Sequence, residues 1–142
     1  MARLVGINHV ALEVGDVEQA LDWWGRFFDF DLRGKGPGMA FIDIGDQFVA
    51  LARGDGGHVP DHVGIVVDDK EAVRAMALEA GLDVPRSGKL RLRDPWGNTL
   101  EIVDYRQVQF TKAPEVLSAL GLDGLEKTDA AREELRAKGI TA

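Results

Sequence analysis

The sequence predicts an α+β fold made of two copies of one strand–helix–strand–strand–strand module, followed by a helical extension. Three observations carry that prediction. An offset of 53 residues superposes His9 on His62, Val10 on Val63, Val14 on Val67, Asp16 on Asp69 and Glu18 on Glu71. Within each copy the apolar period changes from two to 3.6 and back to two, the signature of a strand, an amphipathic helix and further strands. Beyond residue 106 the repeat stops, and a leucine-bearing stretch with helix caps takes over. The chain therefore divides into a paired-module domain over 1–106, with modules near 5–54 and 59–106, and an extension over 107–142. One module of about 50 residues leaves too much of its surface exposed to be stable alone, so the halves are expected to share a core.

In the first module residues 5–14 alternate as a strand, and a helix follows over 17–28. Asp16 is placed to cap it, with Gln19 three positions on to close a capping box. Val17, Ala20, Leu21, Trp24, Phe27 and Phe28 recur at helical spacing and predict one buried stripe, with Trp23-Trp24 as helix-to-sheet core or subunit contact. Strands are expected over 30–34, 38–44 and 47–53, separated by Gly34, Gly36, Gly38 and a Gly45-Asp46 turn. The second module opens with a strand over 61–67. Asp68 and Glu71 offer a second capping box for a helix that runs to Ala80 and stops at Gly81. Strands over 83–86, 89–93 and 98–105 complete it, the last two joined by Asp94-Pro95-Trp96-Gly97-Asn98. In the extension, Ala113-Pro114 and the run to Leu125 predict a short helix, and Thr128 caps another that ends near Lys138 and Gly139.

Composition bounds the function. No apolar run approaches the roughly 20 residues needed to span a bilayer, and MARLVGINH lacks the features of a secretory signal, which points to the cytoplasm. A net charge of −7 and a pI near 4.9 argue against a nucleic-acid partner, which needs a basic surface. An acidic surface suits a cationic ligand. With no cysteine, disulfides, thiolate ligands and a cysteine nucleophile are excluded, so a bound metal must be held by nitrogen and oxygen.

Strand alternation brings three such donors together. Val10, Leu12 and Val14 are assigned to the helix side of the first strand, leaving His9, Ala11 and Glu13 opposite. Val63, Ile65 and Val67 leave His62, Gly64 and Val66 opposite in the same way. On the last strand Leu100 and Ile102 take the helix side, so Thr99, Glu101, Val103 and Tyr105 face the histidines. Ala11 and Gly64, both small, leave room for a ligand. His9, His62 and Glu101 form a two-histidine, one-carboxylate set, which holds a divalent cation and leaves positions open for substrate. A lone strand histidine is more often a satisfied polar residue, but two at repeat-equivalent positions with a carboxylate are harder to dismiss. Glu13 is a candidate catalytic base against the plainer reading of a solvated strand end. Tyr105 is a candidate hydrogen-bond donor to a bound oxygen, against a place at the sheet rim. His58 falls on a glycine-rich linker, where solvent exposure is expected.

The segments INHVALEVGDVEQALDWW (7–24), DHVGIVVDD (61–69) and DPWGNTLEIVD (94–104) resemble the vicinal oxygen chelate superfamily of glyoxalases, methylmalonyl-CoA epimerases, extradiol dioxygenases, fosfomycin-resistance transferases and bleomycin-binding proteins. The likeness covers residues 5–106. It implies a U-shaped mixed sheet of two βαβββ modules with a metal in the concavity, and a homodimer, with or without exchanged modules. It also implies Mn, Fe, Zn, Ni, Co or Mg as the divalent metal, chelated by a small substrate through neighbouring oxygens in a lyase, dioxygenase or transferase reaction. The family's ligands fall on His9, His62 and Glu101. A fourth ligand, usual in glyoxalases and epimerases, would come from 47–53, where Val49, or Ala50 or Leu51 after a slip, is apolar; Gln47 and Glu13 are the nearest other donors. The alternative is a metal-free antibiotic-binding protein of the same fold, a class that generally lacks the full ligand set. The leucines and valine of the extension must be buried on this chain or over a partner's cavity.

Overall fold

The computed structural model describes residues 1–54, 60–93 and 99–141, with the side chains of residues 60 and 61 left aside. His58 and the Asp94–Asn98 turn lie outside the described residues.

Chain order is β1 (Leu4–Val14), α1 (Val17–Gly25), β2 (Asp31–Gly36), β3 (Met39–Asp43), β4 (Phe48–Arg53), β5 (Pro60–Val67), α2 (Lys70–Glu79), β6 (Leu90–Arg93), β7 (Thr99–Asp104), a 3-10 turn (Tyr105–Gln107), α3 (Pro114–Ala119) and α4 (Asp129–Ala137). The strands form one seven-stranded sheet in the order β2-β3-β4-β1-β5-β7-β6. The fold is α+β, as expected. The modules meet at its centre, where β1 and β5 run antiparallel. Each opening strand also pairs in parallel with the last strand of its own module, β1 with β4 and β5 with β7. No helix among the described residues is long and apolar enough to cross a membrane.

Four local expectations are corrected. The strand over 83–86 does not form, so the described sheet has seven strands. Pro85 has no N–H to give a ladder, and its carbonyl, like that of Gly88, accepts a 2.6 Å hydrogen bond from buried Arg74 of α2. The loop is tied to the helix instead of to a strand. Helix α1 ends at Gly25, three residues early, which removes Phe27 and Phe28 from the stripe and leaves both more than half exposed; Trp23 is exposed too, and Trp24 is half-buried. The cap of α2 is Asp69, whose carboxylate accepts from Ala72 N at 3.0 Å, the repeat counterpart of Asp16 accepting from Gln19 N. Asp68 instead accepts from Arg3 N, and Glu71 pairs with Arg74. Helix α3 stops at Ala119 rather than reaching Leu125, because Gly121 (φ 74°) turns the chain in the left-handed region that glycine tolerates.

Two apolar clusters cover opposite faces of the second half of the sheet. Val67, Leu90 and Ile102, with Ile65, Val73, Leu92 and Leu100 against them, lie on the α2 side. Val5, Val66 and Tyr105 face the other way and pack with Phe110, Leu117 and Leu122 of the extension. Phe110 lies so close over Gly6 that a Cβ there would stand 2.5 Å from its ring. The extension thus packs on its own chain, on the histidine-bearing face.

Candidate metal centre

Register explains how the three donors meet. Across the central antiparallel pair His9 stands opposite Gly64, and Ala11 opposite His62, so each imidazole lies beside a small residue of the other strand. Gly64 in turn pairs with Glu101 on β7. His9 and His62 are both 6 % exposed. Their Nε2 atoms are 2.8 Å apart, Glu101 Oε2 lies 2.9 Å from His62 Nε2 and 3.6 Å from His9 Nε2, and one donor atom from each residue falls within 4.8 Å of the others. Donors sharing one cation at bonds of about 2.1 Å and right angles stand about 3.0 Å apart. The nitrogen and oxygen donor set and its spacing both fit a divalent ion.

Asn8, next to His9, was not among the sequence candidates. The β1–β5 pairing is irregular between Ile7 and His9, and the extra residue of such a bulge re-aims its side chain. Simple alternation would send Asn8 to the helix side with Val10; it is instead buried at the metal face, with Oδ1 2.7 Å from His9 Nδ1. Accepting from Nδ1–H fixes the tautomer that leaves the Nε2 lone pair facing His62 and Glu101. The His9 ring stacks on Phe48 at 4.6 Å, and the Arg33 guanidinium also lies over the Phe48 ring, at 4.5 Å. Neither Phe48 nor Arg33 carries a sequence signal, because only the register of β4 against β1, with His9 opposite Phe48, brings them here.

The neighbouring His9 imidazole, with Lys89 and His62, outweighs burial and holds the Glu101 carboxyl down at about 2. It is therefore an anion at any ordinary pH, ready to bind a cation. Arg91 Nη2 lies 3.4 Å from the same Oε2.

The repeat also locates the fourth position. Ala11 pairs with Ala50 on β4 as Gly64 pairs with Glu101 on β7, so Ala50, one residue from the position set by aligning the glycines, is the counterpart of Glu101. It is 2 % exposed and offers no donor. Gln47 donates its amide to Ile7 O at 2.9 Å. Glu13 packs over Gly54, where a Cβ would collide with its carboxylate; four residues along the strand from His9 is roughly 13 Å. Tyr105 lies in the core cluster at 3 % exposure, its ring under the Lys127 ammonium and its hydroxyl 3.5 Å from Thr111 Oγ1. Tyr105 lines a cavity of about 630 Å³ in the extension, whereas a smaller one of about 210 Å³ adjoins His9 and Glu101.

The sequence profile of the Glyoxalase/Bleomycin resistance protein/Dioxygenase superfamily matches residues 6–102. This chain belongs to that superfamily. Among solved structures, it is similar to a single-residue variant of Streptomyces coelicolor methylmalonyl-CoA epimerase in complex with 2-nitronate-propionyl-CoA, at 17% identity and TM-score 0.56, over 71% of this chain and 97% of that one. A Mn(II)-bound glyoxalase from Novosphingobium aromaticivorans matches at 19% identity and TM-score 0.60, over 80% of this chain and 43% of that one. A catechol 2,3-dioxygenase matches at 18% identity and TM-score 0.59, over 79% and 43%. At these identities the likeness is one of fold, and the chain spans less than half the length of the latter two.

Proposed function

We propose that this chain is a divalent-metal-dependent enzyme of the glyoxalase/dioxygenase type, acting on a small molecule that chelates the metal through neighbouring oxygens. The observation that carries this reading is the convergence of His9 Nε2, His62 Nε2 and Glu101 Oε2 within one cation's reach on a buried face. A bound cation would supply Lewis acidity, stabilising negative charge on chelated substrate oxygens. The protein's part is positional. Asn8 fixes the His9 tautomer, Phe48 and Gly64 confine its ring, and Glu101 contributes a negative charge that partly offsets the cation. Three ligands, with no fourth among the described residues, leave more of the coordination sphere to substrate and water than four would. In the same reading the chain works in the cytoplasm as a homodimer, and neither Glu13 nor Tyr105 is assigned a catalytic part, given where each packs.

Metal content tests the proposal. Protein purified without added salts should carry close to one equivalent of a transition metal or recover it on reconstitution, and His9→Ala should lose it while keeping the fold by circular dichroism. A wild type that binds no divalent metal under any loading condition would favour the metal-free binding protein instead.

A further inference from the structure

The chain as a whole is acidic, with a net charge of −7, yet β6 and the residue before it carry charges of one sign only, and that sign is positive. In KLRLR (89–93) Lys89, Arg91 and Arg93 alternate with Leu90 and Leu92. The two leucines belong to the apolar cluster on the α2 side, so period-two alternation turns the cations to the opposite face, the one that carries the histidines. Arg91 shows this by contact: it stands opposite Glu101 in the β6–β7 register and brings Nη2 to 3.4 Å from Glu101 Oε2. The charge of Lys89 acts on the same carboxylate, and Arg93 stands opposite Thr99.

These cations are open to a ligand. All three are exposed, the Arg91 side chain by 41 %. Among the described residues Arg91 pairs with Glu101, a metal-facing carboxylate, and neither Lys89 nor Arg93 makes an ion pair. A guanidinium carries five N–H donors in a planar fork, and the contact to Glu101 is made through Nη2 alone. Arg91 and Arg93, with Thr99 and one acidic residue, Asp83, also line a cavity of about 430 Å³ at this edge of the sheet, within the roughly 300–1,000 Å³ of small-molecule sites. Charges on an edge strand also keep it from pairing with another chain, but either sign does that, and it does not call for a guanidinium against a metal-binding carboxylate. Exposed charges act over about 10 Å at 0.1 M salt. A ligand at the metal centre therefore feels this strand before it feels the net charge of the chain.

We infer that β6 makes the metal centre selective for dianions: Arg91, with Lys89 and Arg93 beside it, binds a second acidic group on a molecule whose neighbouring oxygens engage the metal. This inference rests on the proposed metal site and adds the charge of its substrate class. It runs opposite to the cationic ligand that the acidity of the whole chain would suit. The fork of a guanidinium matches a carboxylate through two parallel N–H···O bonds, and Arg93 follows about 6.7 Å further along the same face.

The test uses full-length protein loaded with Mn²⁺ and calorimetric titration with 2-hydroxyglutarate and 2-hydroxyvalerate of one configuration. These five-carbon acids share the chelating hydroxy-carboxylate and differ in a terminal carboxylate against a methyl. At low ionic strength 2-hydroxyglutarate is expected to bind about tenfold more tightly, the low end for a hydrogen bond between charged groups, and the ratio should shrink as salt is raised. Arg91→Met should bring the ratio below about threefold without weakening Mn²⁺ binding, because it removes a cation next to a metal ligand; Arg91→Lys should restore part of the preference. Equal binding of the two acids by Mn²⁺-loaded wild type, or a ratio that Arg91→Met leaves unchanged, would overturn the inference and leave the metal reading standing. So would a loss of Mn²⁺ affinity beyond about tenfold in Arg91→Met, the mark of a residue that only props a ligating side chain. No Mn²⁺ uptake by wild type would remove the metal reading and this inference with it.

Discussion

Gly64→Ala adds one carbon where the site has no room. A Cβ at Gly64 would stand 2.1 Å from His9 Nδ1, 2.2 Å from Cε1 and 2.6 Å from Asn8 Oδ1, against an ordinary contact of 3.4 Å or more. Relief requires the imidazole to move by about 1.3 Å, the difference between 3.4 and 2.1 Å. On its other side the ring meets Phe48, stacked at 4.6 Å and nearly parallel at 9°, so the motion also breaks the 2.7 Å bond to Asn8. Overpacking of this kind costs about 1–3 kcal/mol, which for a chain of this size lowers Tm by roughly 3–10 °C. The metal site loses more, because disturbing the partner of a ligating histidine alone lowers affinity about 10–100-fold. Calorimetric titration with Mn²⁺, paired with thermal unfolding of the metal-free protein, reads both effects. Gly36→Ala is the control, since nothing lies within 4 Å of a Cβ there, and it should bind Mn²⁺ as wild type does. A Gly64→Ala protein with wild-type Mn²⁺ affinity would show that His9 does not lie against this glycine, and the packing of the site would be other than described.

Two further outcomes are expected. Asn8→Ala removes the acceptor that fixes the His9 tautomer and should weaken Mn²⁺ binding about 10–100-fold at a stability cost near 1 kcal/mol; unchanged affinity would show that the tautomer needs no such help. Burial lowers the Lys127 ammonium to about 8, with Asp104 and Asp46 opposing the shift, while an unfolded lysine keeps its proton to about 10.4. Between those values the unfolded chain binds the extra proton, so this group's contribution to stability rises with pH. Below pH 8 both states are protonated and the burial penalty is full. The Tm difference between wild type and Lys127→Met should therefore shift in favour of wild type from pH 8 to 10, and a constant difference would contradict the assignment.

The repeat made most of the architecture legible. His9 and His62, 53 residues apart, mark the two central strands, and alternation correctly placed Ala11, Gly64 and Glu101 on the histidine face. What alternation misses is any departure from period two. The bulge before His9 turned Asn8 into the site, and no residue type in NHVALEV announces it. The strand expected over 83–86 failed because Arg74, which no motif singles out, turns inward and takes the carbonyls of Pro85 and Gly88. Phe27 and Phe28 fitted a helical stripe by spacing, but spacing does not say where a helix stops. Arg33 and Phe48 come together only through tertiary packing, so a reading of local pattern had no access to them. The extension illustrates the same limit: its leucines demanded burial, and the structure shows Phe110, Leu117 and Leu122 packing on Val5 and Val66.

Whether two imidazoles and one carboxylate from three strands hold a single cation can be read directly. Electron spin-echo envelope modulation of the Mn²⁺-loaded protein counts coordinated histidine nitrogens. Coupling to two imidazoles in wild type, falling to one in His62→Ala and one in His9→Ala, is the predicted result; a spectrum without imidazole coupling, or one that neither substitution changes, would contradict it.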